Sequence, residues 1–412
     1  MYGTPALTHR ALDDLIEHAG QDAIDELRRL ARPIEGLRVL NLSVTGFGTG
    51  TAELLNSSVP LMNDLGLEAQ WQVVRASEED LSVTQDMYRA LGGVYVNWTQ
   101  EMTDRWLRYA QMNAELLTEP FDVIVVHDPQ PLALRSFTED GSARWLAHSH
   151  LDLSTAQEDV WLLLRQHLEK YDAIAFDARG FTREDLPVPV RIIPPAIDPN
   201  SARNMPLPDD VVHNVLEQYG IDPARPMICQ VSPCDPACDL MGVVECWQAA
   251  QRRHPGLQLA VVLTTDPFDP AGRSCYEDLA RVAHDEPDMT LVSSGMEFGN
   301  VELNVFQRAA AIVLQKGLRK GYGLWVADAL WKERPCIVAA SPGLQEQVVD
   351  GESGLVIHST DECAAAIVRL LDNPDEARAL GKKGREHVAK KFLITRYLRD
   401  YMHVLTDLHG KK

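Results

Sequence analysis

One stretch in the second half of the chain limits what the whole chain can fold into. Residues 310–331 read AAIVLQKGLRKGYGLWVADALW. The apolar run at residues 311–314 is short and bounded, as in a buried parallel strand, and apolar residues recur at helical spacing after a glycine turn. A strand, a turn and a helix in this order place the start of a helix at the carboxyl edge of a sheet, where backbone N–H groups attract phosphate. The stretch therefore predicts an α/β sheet with an anion site at that edge.

The residues around the glycine turn decide how specific this prediction is. Any α/β protein contains strand–glycine–helix units, so Gly321 and Gly323 alone are weak evidence for a phosphate site. Lys316, Arg319 and Lys320 lie beside the turn and supply positive charge that a phosphate needs. We therefore favour an anion site over a plain turn.

This stretch resembles the donor-phosphate segment of retaining glycosyltransferases of the GT-B class. It is most similar to the trehalose glycosyltransferring synthase group, which includes trehalose phosphorylase-like enzymes and follows a pattern of roughly QKSxREGFGLxVxEALWK. The two acids of the pattern fall on Lys320, which has the opposite charge, and on Asp328, which is shorter by a methylene. The resemblance implies that these residues bind a nucleotide-sugar donor: Lys316, Arg319, Gly321, Tyr322, Gly323, Leu324 and Asp328.

Length and charge exclude several other classes of protein. A chain of 412 residues predicts two or three domains, and an apolar fraction of 45% is ample for packed cores. The net charge of −21 argues against nucleic acid and anionic membrane as partners, since both are polyanions. The first 36 residues lack the basic start and apolar core of a signal peptide. No apolar run approaches the ~20 residues needed to span a bilayer. We expect a soluble, cytoplasmic protein.

The cysteines predict neither a disulfide scaffold nor a metal site. There are seven of them in a long chain, and their spacing fits no strong metal template. Cys234 and Cys238 could form a redox or metal pair, but buried thiols are ordinary in packed cores. We therefore favour thiols without such a role.

A glycine-rich loop follows the first predicted strand, residues 37–42. Residues 48–53 read GTGTAE where the similar group reads GGGVAE. A glycine loop between the first strand and first helix of a doubly wound sheet brings the backbone close to a ligand, although such loops also serve as plain turns. The resemblance implies that Gly48, Gly50 and Glu53 contact a sugar, and Thr49 would impede its approach somewhat.

A second polar loop follows the apolar strand predicted at residues 121–126. Its sequence at residues 127–131 is HDPQP, with hydrogen-bonding side chains held by two prolines just past a strand end, as a sugar site requires. A rigid turn with a satisfied histidine is the plainer interpretation of the first three residues. All five match the similar group, which implies that His127, Asp128 and Gln130 bind the sugar acceptor.

A third match follows shortly afterwards. Residues 147–154 read AHSHLDLS where the similar group reads WRCHIDLS, so residues 147–149 depart from the pattern. The resemblance implies that His150 and Asp152 are catalytic and that His150 contacts the donor sugar near the reacting carbon. A solvated histidine at a strand end is the alternative, and the matching residues after His150 count against it.

Several donor-side positions depart from the pattern. Residues 232–239 read SPCDPACD where the group reads SRFDPWKD, so Pro233 and Cys238 replace cations that face the donor diphosphate. A leaving diphosphate gains negative charge, and losing one fixed contact to it typically costs ~10²–10³ in rate. Lys320 cannot accept a hydrogen bond from a donor hydroxyl, and Pro342 lacks a backbone N–H that the group supplies. We expect very weak or absent transfer from common nucleotide glucoses.

The alternation of strands and helices predicts an α/β fold. The resemblance implies a GT-B architecture, with two Rossmann-like domains facing a central cleft. We expect an acceptor-side domain over residues 1–205, a donor-side domain over residues 206–394 and a proline-stiffened linker at about residues 194–207. A final helical run at 375–408 is predicted, and its last part, about 395–412, packs back on the first domain.

Three functions stay open. The first is a retaining hexosyltransferase with a UDP-, ADP- or GDP-glucose type of donor and a small sugar acceptor; the resemblance implies that it needs no metal or other cofactor. The second is a catalytically silent scaffold that binds a sugar, a nucleotide or a protein. The third is a different donor or acceptor in the same site. Many members of the similar group are dimers, so a homodimer also stays open.

Overall fold

Two parallel β-sheets organise the chain in the computed structural model. The chain divides into two compact units, one with the residues up to Ala196 and from Ile394 onward, the other with Ile197–Leu393. Each unit has a sheet of six strands in its described part, which confirms the predicted α/β class. The structure describes residues 3–139, 141–264, 270–293, 299–317 and 322–410.

Strands and helices alternate along most of the chain. The strands are β1 (Arg38–Ser43), β2 (Glu68–Val73), β3 (Val123–His127), β4 (Arg144–Ser149), β5 (Ala173–Phe176), β6 (Val190–Ile192), β7 (Met227–Pro233), β8 (Gln258–Thr264), β9 (Met289–Ser293), β10 (Ile312–Gln315), β11 (Cys336–Ala339) and β12 (Leu355–Ile357). The helices are α1 (Ile16–Ala19), α2 (Gln21–Ala31), α3 (Gly50–Asp64), α4 (Glu78–Leu91), α5 (Gln100–Glu115), α6 (Glu158–Leu168), α7 (Asp209–Gln218), α8 (Leu240–Gln251), α9 (Pro270–Asp285), α10 (Asn300–Ala309), α11 (Trp325–Trp331), α12 (Pro342–Gln347), α13 (Thr360–Asp372), α14 (Pro374–Lys391) and α15 (Ile394–His409). Among the described residues, no helix is both long enough and apolar enough to cross a bilayer.

Both sheets are parallel and doubly wound. The order in the first unit is β2-β1-β3-β4-β5-β6, and in the second it is β12-β11-β10-β7-β8-β9. Every strand pair in the described ranges is parallel. The central strands β3 and β10 are buried along their whole length, as expected for parallel strands that read as continuous apolar runs.

The last helix of the chain completes the core of the first unit. One face of α15 is apolar at helical spacing, and this face packs with α2, α3 and the central strands in a single hydrophobic cluster. The side chains that α15 contributes are Ile394, Tyr397, Leu398, Tyr401, Met402, Val404, Leu405 and Leu408. Although it is last in sequence, the helix therefore belongs to the first unit.

The chain passes from the first unit to the second between Ala196 and Ile197, earlier than the predicted boundary after residue 205. The intervening residues are held by the second unit. The Asn204 amide, for example, donates a hydrogen bond to Asp328 Oδ1 (2.7 Å). Such contacts, which the local sequence does not reveal, set the boundary, whereas the prolines only stiffen the connection.

The helical run predicted at residues 375–408 is wrong as a single element. It consists of two helices, α14 and α15, with a break at Phe392 and Leu393. The break occurs where the chain leaves the second unit for the first. Because the apolar periodicity continues across it, the sequence pattern conceals the break.

Shortening a buried side chain on α15 should destabilise the first unit strongly. Leu398 is fully buried, and we expect Leu398→Ala to cost about 2–5 kcal/mol of unfolding free energy through lost burial and a cavity. His403→Ala, on the exposed face of the same helix, is the control and should change it by less than about 0.5 kcal/mol. Hydrogen exchange of β3 amides reports on this unit. Similar effects of both changes would contradict the packing of α15.

Candidate functional site

The first unit brings the ends of four strands together at one edge. Because the strands are parallel, the loops that follow β1, β3, β4 and β5 all leave the sheet at the same edge. β1 has β2 on one side and β3 on the other, so the connections from β1 and β3 diverge. Doubly wound sheets bind ligands at such a switch point. The two loops that the sequence predicts to contact a sugar both begin there.

Asp128 connects these two loops. It follows β3 directly, and its backbone φ of 65° lies in the left-handed region. Its Oδ2 accepts a hydrogen bond from the Thr51 hydroxyl (3.2 Å) in the first turn of α3, and its Oδ1 accepts one from the backbone N–H of His150 (3.2 Å). Burial raises the pKa of Asp128, against the opposing charge of His150. The carboxylate is therefore fixed in one orientation at the switch point.

Three histidines and an aspartate form a cluster beside Asp128, which we call the histidine cluster. His127 ends β3 and pairs in register with His148 of β4. His150 follows β4, and Asp177 follows β5. The side chains of His148 and Asp177 are almost completely buried, whereas that of His150 is 11% exposed. His150 is therefore the member through which the cluster meets solvent.

A line of hydrogen bonds runs through the cluster. His150 Nδ1 lies 2.9 Å from Asp177 Oδ1, and His150 Nε2 lies 3.1 Å from His127 Nδ1. His127 Nε2 lies 3.1 Å from Asn41 Oδ1, and the Asn41 amide nitrogen donates to the carbonyl oxygen of Gln70 (3.3 Å), which orients the amide. The order is thus Asp177, His150, His127 and Asn41, with the two imidazoles in the middle.

Three imidazoles in one place are also frequent zinc ligands, and one nitrogen of each lies within 4.8 Å of the others. The ring geometry distinguishes an ion from a proton. The rings of His127 and His150 are parallel within 2°, and the 5.4 Å between their centroids is the 3.1 Å between the nitrogens plus one ring radius at each end. The lone pairs of the two nitrogens point at each other along one line. A zinc ion on that line would need about 4 Å between the nitrogens, the length of two zinc–nitrogen bonds. The geometry fits a shared proton and not a zinc ion.

The members of the cluster carry different charges. Burial and the charge of His150 lower the pKa of His127 well below its ordinary value and lower the pKa of His148 to about 4. Burial acts in the same direction on His150, but the Asp177 carboxylate outweighs it and raises the pKa of His150 to about 9. Burial would raise the pKa of Asp177, but His150 holds it below its ordinary value. At neutral pH a single cation, His150, therefore faces an anion, Asp177.

The sequence prediction missed four members of this arrangement. His148 Nδ1 lies 2.5 Å from the Tyr401 hydroxyl of α15, and its Nε2 lies 3.3 Å from Asp177 Oδ1. Asp177 follows an apolar strand at the same edge as His150, and this position is a signal that could have identified it. Asn41 is a single polar residue within an apolar strand, and Tyr401 lies on the buried face of α15. No local pattern indicates their partners.

The other residues predicted in the first unit have distinct local roles. Gly48 has a φ of 76°, and Gly50 begins α3, which has Glu53 in its first turn. The side-chain oxygen of Gln130 is buried and has no hydrogen-bond partner among the described residues. Asp152 accepts a hydrogen bond from the backbone N–H two residues later (2.9 Å) and stabilises a local turn. The described residues thus leave the side-chain oxygen of Gln130 without a hydrogen-bond donor.

In the second unit the switch point lies between β7 and β10, and Lys316 follows β10 directly. Its Nζ lies 2.8 Å from Asp239 Oδ2, 3.0 Å from Thr360 Oγ1 and 3.7 Å from Cys246 Sγ. Burial opposes the charge, but the bond to Asp239 raises the pKa of Lys316. These contacts can use all three N–H groups of the ammonium, so a phosphate would have to displace one of them.

Asp328 is also engaged inside the second unit. It is 2% exposed; its Oδ1 accepts from the Asn204 amide (2.7 Å), and its Oδ2 lies 3.8 Å from Arg203 Nη1. Lys332 Nζ donates to Asn204 Oδ1 (2.8 Å), to the Asp328 carbonyl oxygen (2.9 Å) and to Gln307 Oε1 (3.0 Å). Burial lowers the pKa of Lys332 to about 7. A predicted donor ligand is thus part of a buried polar network.

The remaining donor-side residues have separate positions. Tyr322 donates to Glu346 Oε2 (3.3 Å), Gly323 has a φ of 67°, and Leu324 precedes the seven-residue helix α11. Pro342 takes the first position of α12, where a backbone N–H has no partner within the helix. Arg319, Lys320 and Gly321 lie outside the described residues.

The loop after β7 contains the two substituted cation positions. Pro233 ends β7 and is exposed, whereas Cys238 is buried in a short helical turn. Cys234, between them, hydrogen-bonds Cys275 of α9 and so lowers the pKa of the Cys275 thiol. None of the cysteines in the described ranges forms a disulfide. Cys234 and Cys238 do not belong to a described group of three metal ligands.

Family models match both halves of the chain. Residues 41–183 match the model described as "Trehalose synthase, N-terminal domain", and residues 217–387 match "Glycosyl transferases group 1". The first match covers the glycine loop, the histidine cluster and Asp128. The second covers the loops after β7 and β10.

Curated relatives are similar over nearly the whole length. The chain is 36% identical to the trehalose synthase of Rubrobacter xylanophilus over 408 residues, which is 98% of each chain. It is 34% identical to the trehalose synthase of Pyrococcus horikoshii over 404 residues, which is 97% of each chain.

Solved structures show the same fold. Sucrose-phosphate synthase from Thermosynechococcus elongatus has a TM-score of 0.71 at 18% identity, covering 91% of this chain and all of the other. The trehalose 6-phosphate synthase of Burkholderia multivorans has a TM-score of 0.70 at 15% identity, covering 92% of this chain and 99% of the other. These matches confirm the predicted GT-B class of fold.

The histidine cluster should give the first unit a stability maximum near pH 6.5. Below pH 6.5 the unfolded chain protonates His148, but the folded chain does not until about pH 4, so stability rises with pH in this window. The stability from the raised pKa of His150 is complete below pH 6.5 and is lost as the pH rises through about 9. His148→Gln should flatten the acid limb, measured as unfolding free energy against pH. Replacing the exposed His213 by Gln is the control, and the same acid limb in both variants would contradict the assignment.

Proposed function

The chain belongs to the trehalose synthase family of group 1 glycosyltransferases, and we propose that it transfers a hexose from a nucleotide sugar to a sugar acceptor with retention of configuration. The donor is of the UDP-, ADP- or GDP-glucose type. Residues of the first unit bind the acceptor and residues of the second bind the donor. Loss of donor-side cations makes this transfer slow.

The orientation of Asp128 carries the proposal. A carboxylate at a switch point, fixed by Thr51 and by the His150 backbone, can accept hydrogen bonds from sugar hydroxyls without reorganising. Two residues later, Gln130 has a buried side-chain oxygen that lacks a partner among the described residues. Such a group is costly to leave unpaired. A hydroxyl-rich ligand would satisfy both residues.

The donor side explains why transfer should be slow. When the glycosidic bond breaks, the leaving diphosphate gains negative charge, and a metal-free enzyme has to stabilise that charge with side-chain cations. Pro233 and Cys238 cannot do this. Lys316 is bound to Asp239, Thr360 and Cys246, so its charge is already compensated.

A second function, a catalytically silent sugar-binding protein, is favoured by the same contacts of Lys316. An ammonium neutralised within its own unit cannot bind a phosphate strongly. The acceptor-side residues, in contrast, keep their capacity to bind a sugar. Calorimetric titrations with UDP, ADP and GDP, and then with glucose and trehalose, separate the two functions. Nucleotide binding with turnover supports transfer; sugar binding alone supports the silent protein.

Replacing Asp128 by Asn should weaken transfer. The change keeps the shape but removes the charged acceptor, and we expect kcat/KM to fall by about 10- to 100-fold. NMR detection of the disaccharide formed from nucleotide glucose and glucose gives both the rate and the anomeric configuration. Asp159→Asn, at an exposed carboxylate on α6, is the control. Unchanged transfer in Asp128→Asn, or a product of inverted configuration, would refute the proposal.

Restoring the missing cations should accelerate transfer. We expect Pro233→Arg combined with Cys238→Lys to raise kcat/KM at least tenfold, since one electrostatic contact of this kind is worth about 10²–10³ in rate. Pro233→Leu with Cys238→Met is the matched control, because it adds bulk without charge. Lys320→Glu is then added to the charged pair to return the acid of the family pattern.

The outcome of this series separates the two functions. A gain that depends on charge supports slow transfer limited by the donor side. If transfer is undetectable in the wild type and in the triple variant, while glucose or trehalose still binds, the silent protein is the correct function.

A further inference from the structure

The hydrogen bonds of the histidine cluster determine how many protons it holds. Asn41 Oδ1 accepts from His127 Nε2–H, so His127 Nδ1 keeps its lone pair. Asp177 Oδ1 accepts from His150 Nδ1–H. If His150 carried only that proton, two lone pairs would face each other at 3.1 Å. One more proton therefore belongs to the group of His127, His150 and Asp177, and burial, which lowers the pKa of His127, excludes His127 as its place.

This proton lies on the imidazole of His150 and not on the carboxylate of Asp177. An imidazole is a stronger base than a carboxylate, and here the carboxylate receives a second polar contact, because His148 Nε2 lies 3.3 Å from the same oxygen. His150 is then doubly protonated, with Nδ1–H directed to Asp177 and Nε2–H directed to His127. Since both bonds lie along the ring plane, the ring cannot rotate without breaking one of them.

The titratable groups around His150 agree with this charge. The carboxylates of Asp177 and Asp128 favour the cation and raise the pKa of His150, whereas burial lowers the pKa values of His127 and His148 and keeps both neutral. From α15, Tyr401 and Tyr397 also face the cluster, and burial raises the pKa of each phenol, so both stay neutral. Among these groups, the two carboxylates alone are anionic.

We propose that Asp177 is a positioning residue for hexose transfer, which keeps His150 doubly protonated and fixes its ring, so that His150 meets the sugar as a fixed positive charge and not as a base. The catalytic part of this inference rests on the proposed function, whereas the charge of His150 does not. His127 accepts the Nε2–H, so both N–H groups of His150 are used within the cluster, and the partly exposed ring offers its positive charge to the sugar.

The charge of His150 can be measured without any substrate. In the full chain labelled with ¹⁵N-histidine, His150→Gln identifies the His150 resonances among those of 13 histidines. We expect both ring nitrogens of wild-type His150 to be protonated from pH 6 to 8, with a midpoint near 9. A neutral His150 at pH 7 in the wild type overturns the proposal, and this result needs no folded Asp177 variant.

Asp177→Asn removes the charge but keeps the hydrogen-bond acceptor. We expect the His150 midpoint to fall by about 2 units toward the ordinary value. Asp172→Asn is the matched control, because Asp172 lies at the other end of β5. Its carboxylate also accepts hydrogen bonds in the folded protein, from Arg144 (3.0 Å) and from the Trp145 N–H (2.8 Å). It should leave the midpoint unchanged. A midpoint that moves equally in both variants contradicts a specific role for Asp177.

Kinetics then test the positioning role. At pH 8.5 the protonated fraction of His150 should drop about 25-fold in Asp177→Asn, and kcat/KM with it, whereas at pH 5.5 both proteins keep the proton and should differ little. An equal loss at both pH values would indicate a merely structural role and overturn the proposal. If the wild type shows no turnover, the proposed function fails, and affinity for glucose at the same two pH values replaces kcat/KM.

Discussion

The parallel pairing of the strands is the constraint on which both candidate sites depend. Parallel strands end at the same edge, so residues that follow neighbouring strands meet there even when they are far apart in sequence. In the first unit this brings together Asp128, His150 and Asp177, which follow β3, β4 and β5. In the second unit it brings Lys316, after β10, to the loop that follows β7 and contains Asp239. The sheet order fixes the place, and the residue after each strand end fixes the chemistry.

The sequence predicted the strands well because buried parallel strands leave a local signal, a short apolar run between turns. The strands predicted at residues 37–42, 121–126 and 311–314 agree with β1, β3 and β10 within two residues. The unit boundary at Ala196 and the break at residues 392–393 depend instead on contacts with distant segments. Local periodicity contains no information about such contacts, so the boundary was predicted too late within the linker and the break was missed.

The candidate sites show the same difference between features with a local sequence signal and features that depend on distant contacts. Asp128 was identified from its loop pattern, but its partner Thr51 lies 77 residues away, and the partner of His148 on α15 lies 253 residues away. Lys316 was expected beside a phosphate, yet its partners Asp239 and Thr360 come from other segments. Residue types and strand ends can be predicted from sequence; which charges neutralise each other depends on the folded arrangement.

Both units bury charge, but with different consequences. A buried ion pair is weak evidence for stability, because the cost of desolvating the two charges can exceed their attraction. More informative is the direction in which the pair points, since this decides which groups a ligand can still reach. In the first unit the Asp177–His150 pair leaves His150 partly exposed, and Gln130 keeps an acceptor without a partner in the described ranges. In the second unit Lys316 and Lys332 donate the hydrogen bonds of their ammonium groups to partners within that unit. We therefore expect the first unit to keep binding capacity that the two lysines of the second unit lack, and we expect any weakness in transfer to originate in the second unit.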